Sequence, residues 1–178
     1  MTDRVVYTIG HSTRPIDELI ELLRRHDIDT LVDIRTVPRS RHNPQFEQRR
    51  LKRSLEEAGI EYRYAASLGG LRRPAKDSIN TGWRNASFRA YADHMQTQEF
   101  AQAVEELAAL AKTHRPAIMC AEAVPWRCHR SLVGDALLVR GVEVLDIIDG
   151  SAPRKHSLTP FAKVDGTRIW YPAADQDA

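Results

Sequence analysis

Residues 120–130, CAEAVPWRCHR, place two thiols, an imidazole, a carboxylate and two guanidinium groups in one short stretch. A thiol at the start of a helix and beside cations has its thiolate stabilised by the helix dipole and by guanidinium charge, which is how nucleophilic and redox cysteines are made. Cys120 closes an apolar run, while Cys128, His129 and Arg130 occupy the expected first turn of a helix, with Arg127 or Arg130 as the cation. The plain alternative is that Cys120 ends a buried strand as a small hydrophobe and Cys128 merely packs. His129 and Glu122 would handle protons, with Glu122 or Asp33 orienting the imidazole. Alternatively His129, at the first position of an apolar stripe, is an interior histidine bonded to a carbonyl.

Several familiar chemistries are absent. A phosphatase loop would need Arg six residues after its cysteine, and position 126 is Trp126. The chain has no G-x-x-x-x-G-K loop, no G-x-G-x-x-G fingerprint and no H-E-x-x-H pair. A zinc or iron reading would combine Cys120, Cys128, His129 and His11, but the cysteines lie eight apart, and adjacent Cys128 and His129 diverge on a helix. No metal is assigned, and the residues name no cofactor.

A second group of residues suits an anion. His11 and Ser12 follow the first apolar run; Ser12 and Thr13 are first of all caps for the next helix, and they also leave backbone N–H groups for a phosphate. Asp33 and Arg35 end the second run, and Arg39, Ser40 and Arg41 follow in its loop. With Arg130 opposite, these guanidinium groups would grip phosphate oxygens through paired donors. Gly69 and Gly70 supply backbone freedom in a long irregular stretch whose Arg72, Arg73 and Lys76 suit a closing lid.

The elements that position these residues are legible from periodicity. Val5–Ile9 reads as a strand, and Ile16, Leu19, Ile20 and Leu23 form one stripe of a helix running to about His26. A second strand covers Thr30–Ile34. Asn43 is the expected cap of a helix with Pro44 at its first position and Leu51, Leu55 and Ala58 inward, closed by Gly59. Ile60–Tyr64 is a third strand, followed by about twenty residues without a period, a length typical of lids and binding loops. Two helices follow, one through Phe88, Tyr91, Ala92 and Met95, the other capped by Thr97. Ala117–Ala121 is the fourth strand; a helix carrying Leu132, Val133, Ala136 and Leu137 ends at Gly141, and Glu143–Ile148 is the fifth strand. Asp165-Gly166 between alternating runs signals a hairpin.

Alternating strands and helices predict a single α/β domain over residues 1–172. It has a mainly parallel five-stranded sheet, helices on both faces and a C-terminal β-hairpin, with 173–178 as a disordered tail. Ligands of open parallel sheets bind beyond the carboxyl ends of the strands, where all four polar segments would meet.

Composition narrows the partners. The 178 residues are 42% hydrophobic and 28% charged, as in ordinary globular proteins, and no apolar run approaches the roughly 18 residues of a membrane span. The start, MTDRVVYTIG, reads straight into a strand without a secretory signal, so a cytoplasmic location is expected, with both cysteines reduced. The net charge of +2 is uneven: residues 35–89 carry 13 basic and 5 acidic residues, net +8, against −6 elsewhere. That bias suits an anionic partner, a nucleotide or nucleic acid. Arg also outnumbers Lys 21 to 5, as a GC-rich genome would produce without selection for binding.

Together TIGHS (8–12), DIR (33–35), PRSR (38–41), LGG (68–70), FRAY (88–91) with Met95, CAE (120–122), Pro125 and CHR (128–130) resemble the prokaryotic family named domain of unknown function 488. The resemblance covers roughly residues 5–150 and implies a compact cytosolic α/β domain; it supplies no activity. The leading expectation is an enzyme acting on a phosphate-bearing or nucleotide substrate, with Arg35 and Arg130 on the anion. The alternatives are a nucleic-acid-binding module using the basic 35–89 region, with Trp83 or Trp126 for stacking, and a thiol-redox or metal-handling accessory protein.

Overall fold

A computed structural model describes residues 4–174. Its six-stranded sheet has the order β3-β2-β4-β1-β5-β6, built from β1 (Val5–Gly10), β2 (Thr30–Asp33), β3 (Glu61–Tyr64), β4 (Pro116–Cys120), β5 (Glu143–Ile147) and β6 (Arg154–Lys155). The first five strands pair in parallel, and β6 adds antiparallel to β5 through Leu145 and Asp146. The sheet is therefore mixed, with six strands rather than five. The extra strand is two exposed residues long, too short to carry a period of its own.

Alternation along each strand divides the core in two. Tyr7, Ile9, Leu31, Ala117 and Met119 face α1 (Ile16–Arg25) and α2 (Gln48–Glu57), which bury Leu19, Leu22, Leu23, Leu51 and Leu55. Val6, Val32, Ile118, Cys120 and Val144 face α3 (Ala86–His94), α4 (Gln98–Leu110) and α5 (Arg130–Leu138). Helices thus cover both sheet faces. The hairpin of β7 (Lys163–Asp165) and β8 (Arg168–Trp170) lays Ile169 and Tyr171 into the second cluster. Asp165 pairs with Arg168, so Gly166-Thr167 make the turn, with Gly166 at φ +62. No helix among the described residues is long and apolar enough to cross a membrane.

Local chemistry moves two helix starts. Pro44–Phe46 forms a separate 3-10 turn, and α2 is capped by Glu47, whose carboxylate accepts from the N–H groups of Arg49 and Arg50, instead of by Asn43. Pro15 precedes α1 without a side-chain cap, and Ser12 adopts φ +48. Thr97 does cap α4, accepting from Phe100 N–H at 3.2 Å. Of the stretch expected to be disordered, residues 175–178 lie outside the described residues, while Ala173 donates its N–H to Thr81.

Strands β4 and β1 are neighbours whose connections leave in opposite directions, β1 toward β2 and β4 toward β5. That reversal opens a crevice beyond their carboxyl ends.

Candidate functional site

Cys120 is held by the backbone on both sides. His11 N–H donates to the Cys120 carbonyl at 2.9 Å, and Ile34 N–H to that of Met119 at 3.0 Å. The loop leaving β4 crosses directly over Gly10, where an added Cβ would lie 1.5 Å from the Glu122 carbonyl oxygen. After the 3-10 turn Pro125–Arg127 the chain extends through Cys128 and enters α5. Both cysteines line a cavity of about 320 Å³ at the carboxyl edge of the sheet, although each residue is at most 5% exposed.

Beneath Cys120 lies Arg130, the largest fully buried side chain. Its Nη1 donates to Cys120 Sγ at 2.7 Å and to the Glu122 carbonyl at 2.5 Å. Nη2 donates to the Ala123 carbonyl at 3.1 Å and Nε to Thr8 Oγ1 at 3.1 Å. A buried guanidinium needs a compensating charge, and the sulfur is the anion-capable group it touches. Burial by itself would raise the Cys120 pKa; the hydrogen bond from Cys128 and the charge and hydrogen bond of Arg130 outweigh it and bring the thiol down to about 7. Burial and the neighbouring Cys120 hold Cys128 well above the ordinary thiol range. The two thiols are thus driven apart, with Cys120 the one that ionises and Cys128 the one that keeps its proton.

His129 flanks this pair. Its Nε2–H donates to the Ile34 carbonyl at 3.0 Å, which leaves Nδ1 as an acceptor 3.4 Å from Cys128 Sγ. Tyr91 packs against the ring at 5.0 Å between centroids, and burial with the Arg130 charge lowers its pKa to about 4, so the imidazole is neutral. A carbonyl, not the carboxylate of Glu122 or Asp33, orients it. Glu122 accepts from Cys120 Sγ at 3.6 Å through its backbone oxygen, and the exposed residue also lines the cavity wall.

The residues expected to bind an anion separate into groups. Arg35 lines the cavity, but Nε and Nη2 donate to the two oxygens of buried Asp33 at 2.9 and 2.8 Å, and Nη1 to the Phe46 carbonyl at 2.8 Å. Tyr62 adds a hydrogen bond to Asp33 Oδ2 at 2.7 Å. Behind them His11 stacks on Phe46, donates Nδ1–H to the Ser12 carbonyl at 2.9 Å and meets Arg35 Nη1 at 3.4 Å with Nε2. Ser40 accepts from the Asn43 N–H within its own turn, and Arg41 is exposed; Arg39, from the same PRSR segment, lines the cavity together with Arg127.

Gly69 and Gly70 serve close packing. A Cβ on Gly69 would lie 2.7 Å from Thr36 Oγ1, and one on Gly70 2.5 Å from His129 Nδ1. Arg72 ties its own loop, donating to the carbonyls of Gly69, Ala66 and Ser67. Asp93 on α3 fastens the same segment through Ala75 N–H, Ser78 Oγ and Asn80 Nδ2. The long stretch is therefore pinned rather than hung as a free lid.

Sequence periodicity did not disclose Thr36, Val37, Leu71 and Ser87, which line the cavity wall together with Phe88, a residue that helical spacing marked only as part of α3. Thr36 sits three residues after Asp33 in the loop beyond β2, a position that could have selected it. Among the described residues no group of three or more His, Cys, Asp or Glu side chains is arranged to hold a metal ion.

No curated protein and no solved structure matches the chain. The family described as "Domain of unknown function DUF488" matches residues 15–137, which include Asp33-Ile34-Arg35, the two glycines and both cysteines. This chain belongs to that family.

Proposed function

We propose that the protein is a cysteine-dependent enzyme for a small phosphate-bearing substrate, with Cys120 as nucleophile. The observation that carries this reading is the 2.7 Å contact of a fully buried, carboxylate-free guanidinium with Cys120 Sγ on a cavity wall. Exposed Arg39 and Arg127 offer paired donors to an anion, and Val37, Leu71 and Phe88 offer an apolar wall to the remainder, a combination that fits a nucleotide. The Cys120 thiolate forms a bond to the electrophilic phosphorus as the bond to the leaving oxygen breaks. That oxygen departs with the electron pair and takes a proton from water. A second water then displaces the sulfur, gives its proton to the Glu122 carboxylate and returns Cys120 to thiolate.

A second reading, a redox dithiol, is favoured by the two free cysteines lining the same cavity. In that reaction both thiols would pass two electrons and two protons to a disulfide substrate and close a Cys120–Cys128 bond.

Alkylation by iodoacetamide across pH, mapped by mass spectrometry, tests the shared premise. Cys120 should react with a midpoint near 7 while Cys128 is spared. Two thiols that react only after denaturation overturn both readings. p-Nitrophenyl phosphate then separates them: the nucleophile reading expects nitrophenol release that is lost in Cys120→Ser and kept in Cys128→Ser. Reduction of a dithiobis-nitrobenzoate probe that needs both cysteines, without phosphate release, favours the dithiol.

A further inference from the structure

Thr8 on β1 and Asp146 on β5 are register partners in adjacent parallel strands, 138 positions apart, and both lie outside the family-matched span. Thr8 Oγ1–H donates to Asp146 Oδ1 at 2.5 Å. A hydroxyl has one proton, so once it is committed to the carboxylate, its lone pairs face the other way, toward Arg130 Nε at 3.1 Å. The direction of this chain is therefore fixed by Asp146.

The spacing has a further consequence. A carboxylate in direct contact with Arg130 would neutralise the guanidinium and weaken its hold on the sulfur. Asp146 lies one hydroxyl away, so it can orient the group while leaving Nη1 to Cys120. The charges continue behind it: Asp146 Oδ2 stands 3.7 Å from His156 Nδ1, and His156 Nε2 is 2.9 Å from Asp135 Oδ1. Asp135 is in turn satisfied by Thr159 and by Tyr171 Oη. Gly134 allows this arrangement, since a Cβ there would lie 2.9 Å from the His156 ring.

We propose that Thr8 and Asp146 are positioning residues for Cys120, acting through Arg130: the carboxylate polarises the hydroxyl, and the hydroxyl aims the guanidinium at the sulfur. This rests on the reading of Cys120 as nucleophile. The other groups facing Cys120 are Cys128 before α5 and, around the same cavity, His129, Arg35, Arg39, Glu122 and Arg127. None of these is altered by changes at Thr8.

The test is the pH profile of Cys120 alkylation by iodoacetamide in the full chain, comparing wild type with Thr8→Val, Thr8→Ser and Asp146→Asn. Thr8→Val keeps the shape and removes the acceptor. It should raise the midpoint by about one pH unit, an about fivefold slower reaction at pH 7. Thr8→Ser restores the hydroxyl and should follow the wild type, while Asp146→Asn should shift in the direction of Thr8→Val. A purely packing role would affect melting temperature without moving the midpoint. Should Thr8→Val fail to fold, Thr8→Ser and Asp146→Asn decide: a serine profile displaced from wild type, or an asparagine profile superimposed on it, overturns the proposal. A folded Thr8→Val with the wild-type midpoint overturns it too. A wild type lacking a reactive Cys120 instead removes the nucleophile reading itself, and this proposal with it.

Discussion

Gly70 and His129, 59 positions apart, are in such close contact that a single methyl group on the glycine would stand 2.5 Å from the imidazole Nδ1. The ring cannot retreat easily, because the Ile34 carbonyl holds its far nitrogen and Tyr91 covers it. Through this contact the loop after β3 fixes the imidazole beside Cys128. The LGG segment thus acts on the thiol pair by its shape, without touching sulfur.

Gly70→Ala is therefore expected to push the His129 ring off Cys128. The cost to stability should be about 1–3 kcal/mol, the usual range for overpacking. Urea unfolding measures that cost, and iodoacetamide mapping should show Cys128 losing its protection. An alanine variant with wild-type stability and a spared Cys128 would show that the loop is free to move aside.

The Asp33–Arg35 pair gives a second expectation. Asp33 is fully buried and receives Arg35 Nε and Nη2 and the Tyr62 hydroxyl. Asp33→Asn leaves a nearly buried guanidinium without its countercharge, a change that typically destabilises by about 3–5 kcal/mol. The urea midpoint should fall accordingly, whereas Ser40→Ala, which removes only a turn contact on the same loop, should change it by under about 1 kcal/mol.

The difference between legible and hidden parts of this molecule follows from the range of the interactions involved. The α1 stripe of Leu19 and Leu23, the caps at Thr97 and Gly59, and the crowding of chemistry into 120–130 are local, and periodicity or spacing exposes them. Strand β6 is two residues long, and it exists because Arg154 and Lys155 complete the edge of β5. Glu47 displaces Asn43 as a cap because Pro44–Phe46 closes as its own turn first. Thr8 and Asp146 look like ordinary polar positions within strands. Their meaning depends on parallel register, which a single sequence does not display. Arg130 was visible as a cation near sulfur, but its complete burial, with its donors spent inside the protein, depends on packing between β1, β4 and α5.

Two histidines set the acid limit of stability. Burial, with the Arg35 charge adding to it, lowers His11 to about 4, and burial with Arg130 lowers His129 to about 4, from 6.5. For a depressed histidine the unfolded chain binds the proton first. The contribution is thus complete above pH 6.5 and is lost as pH falls through 4, on the order of 3 kcal/mol for each ring. Urea unfolding at pH 7 and 4.5 should show the loss, and it should be smaller in His11→Asn. Equal losses in the variant and the wild type would place the acid sensitivity elsewhere.

His156 sets the opposite limit. Burial alone would lower its pKa, but hydrogen bonds and charge from Asp135 and Asp146 dominate and raise it from 6.5 to about 9. The folded protein then keeps a proton that the unfolded chain releases. Its contribution is complete below pH 6.5 and disappears as pH rises through 9, on the order of 3 kcal/mol. Because Cys120 titrates within the same window, the comparison is cleanest in a Cys120→Ser background. There, stability measured by urea unfolding at pH 6 and pH 9.5 should fall across the interval with His156 present and change little in His156→Gln. Parallel curves for the two proteins would mean that the imidazole between Asp135 and Asp146 is neutral at both pH values.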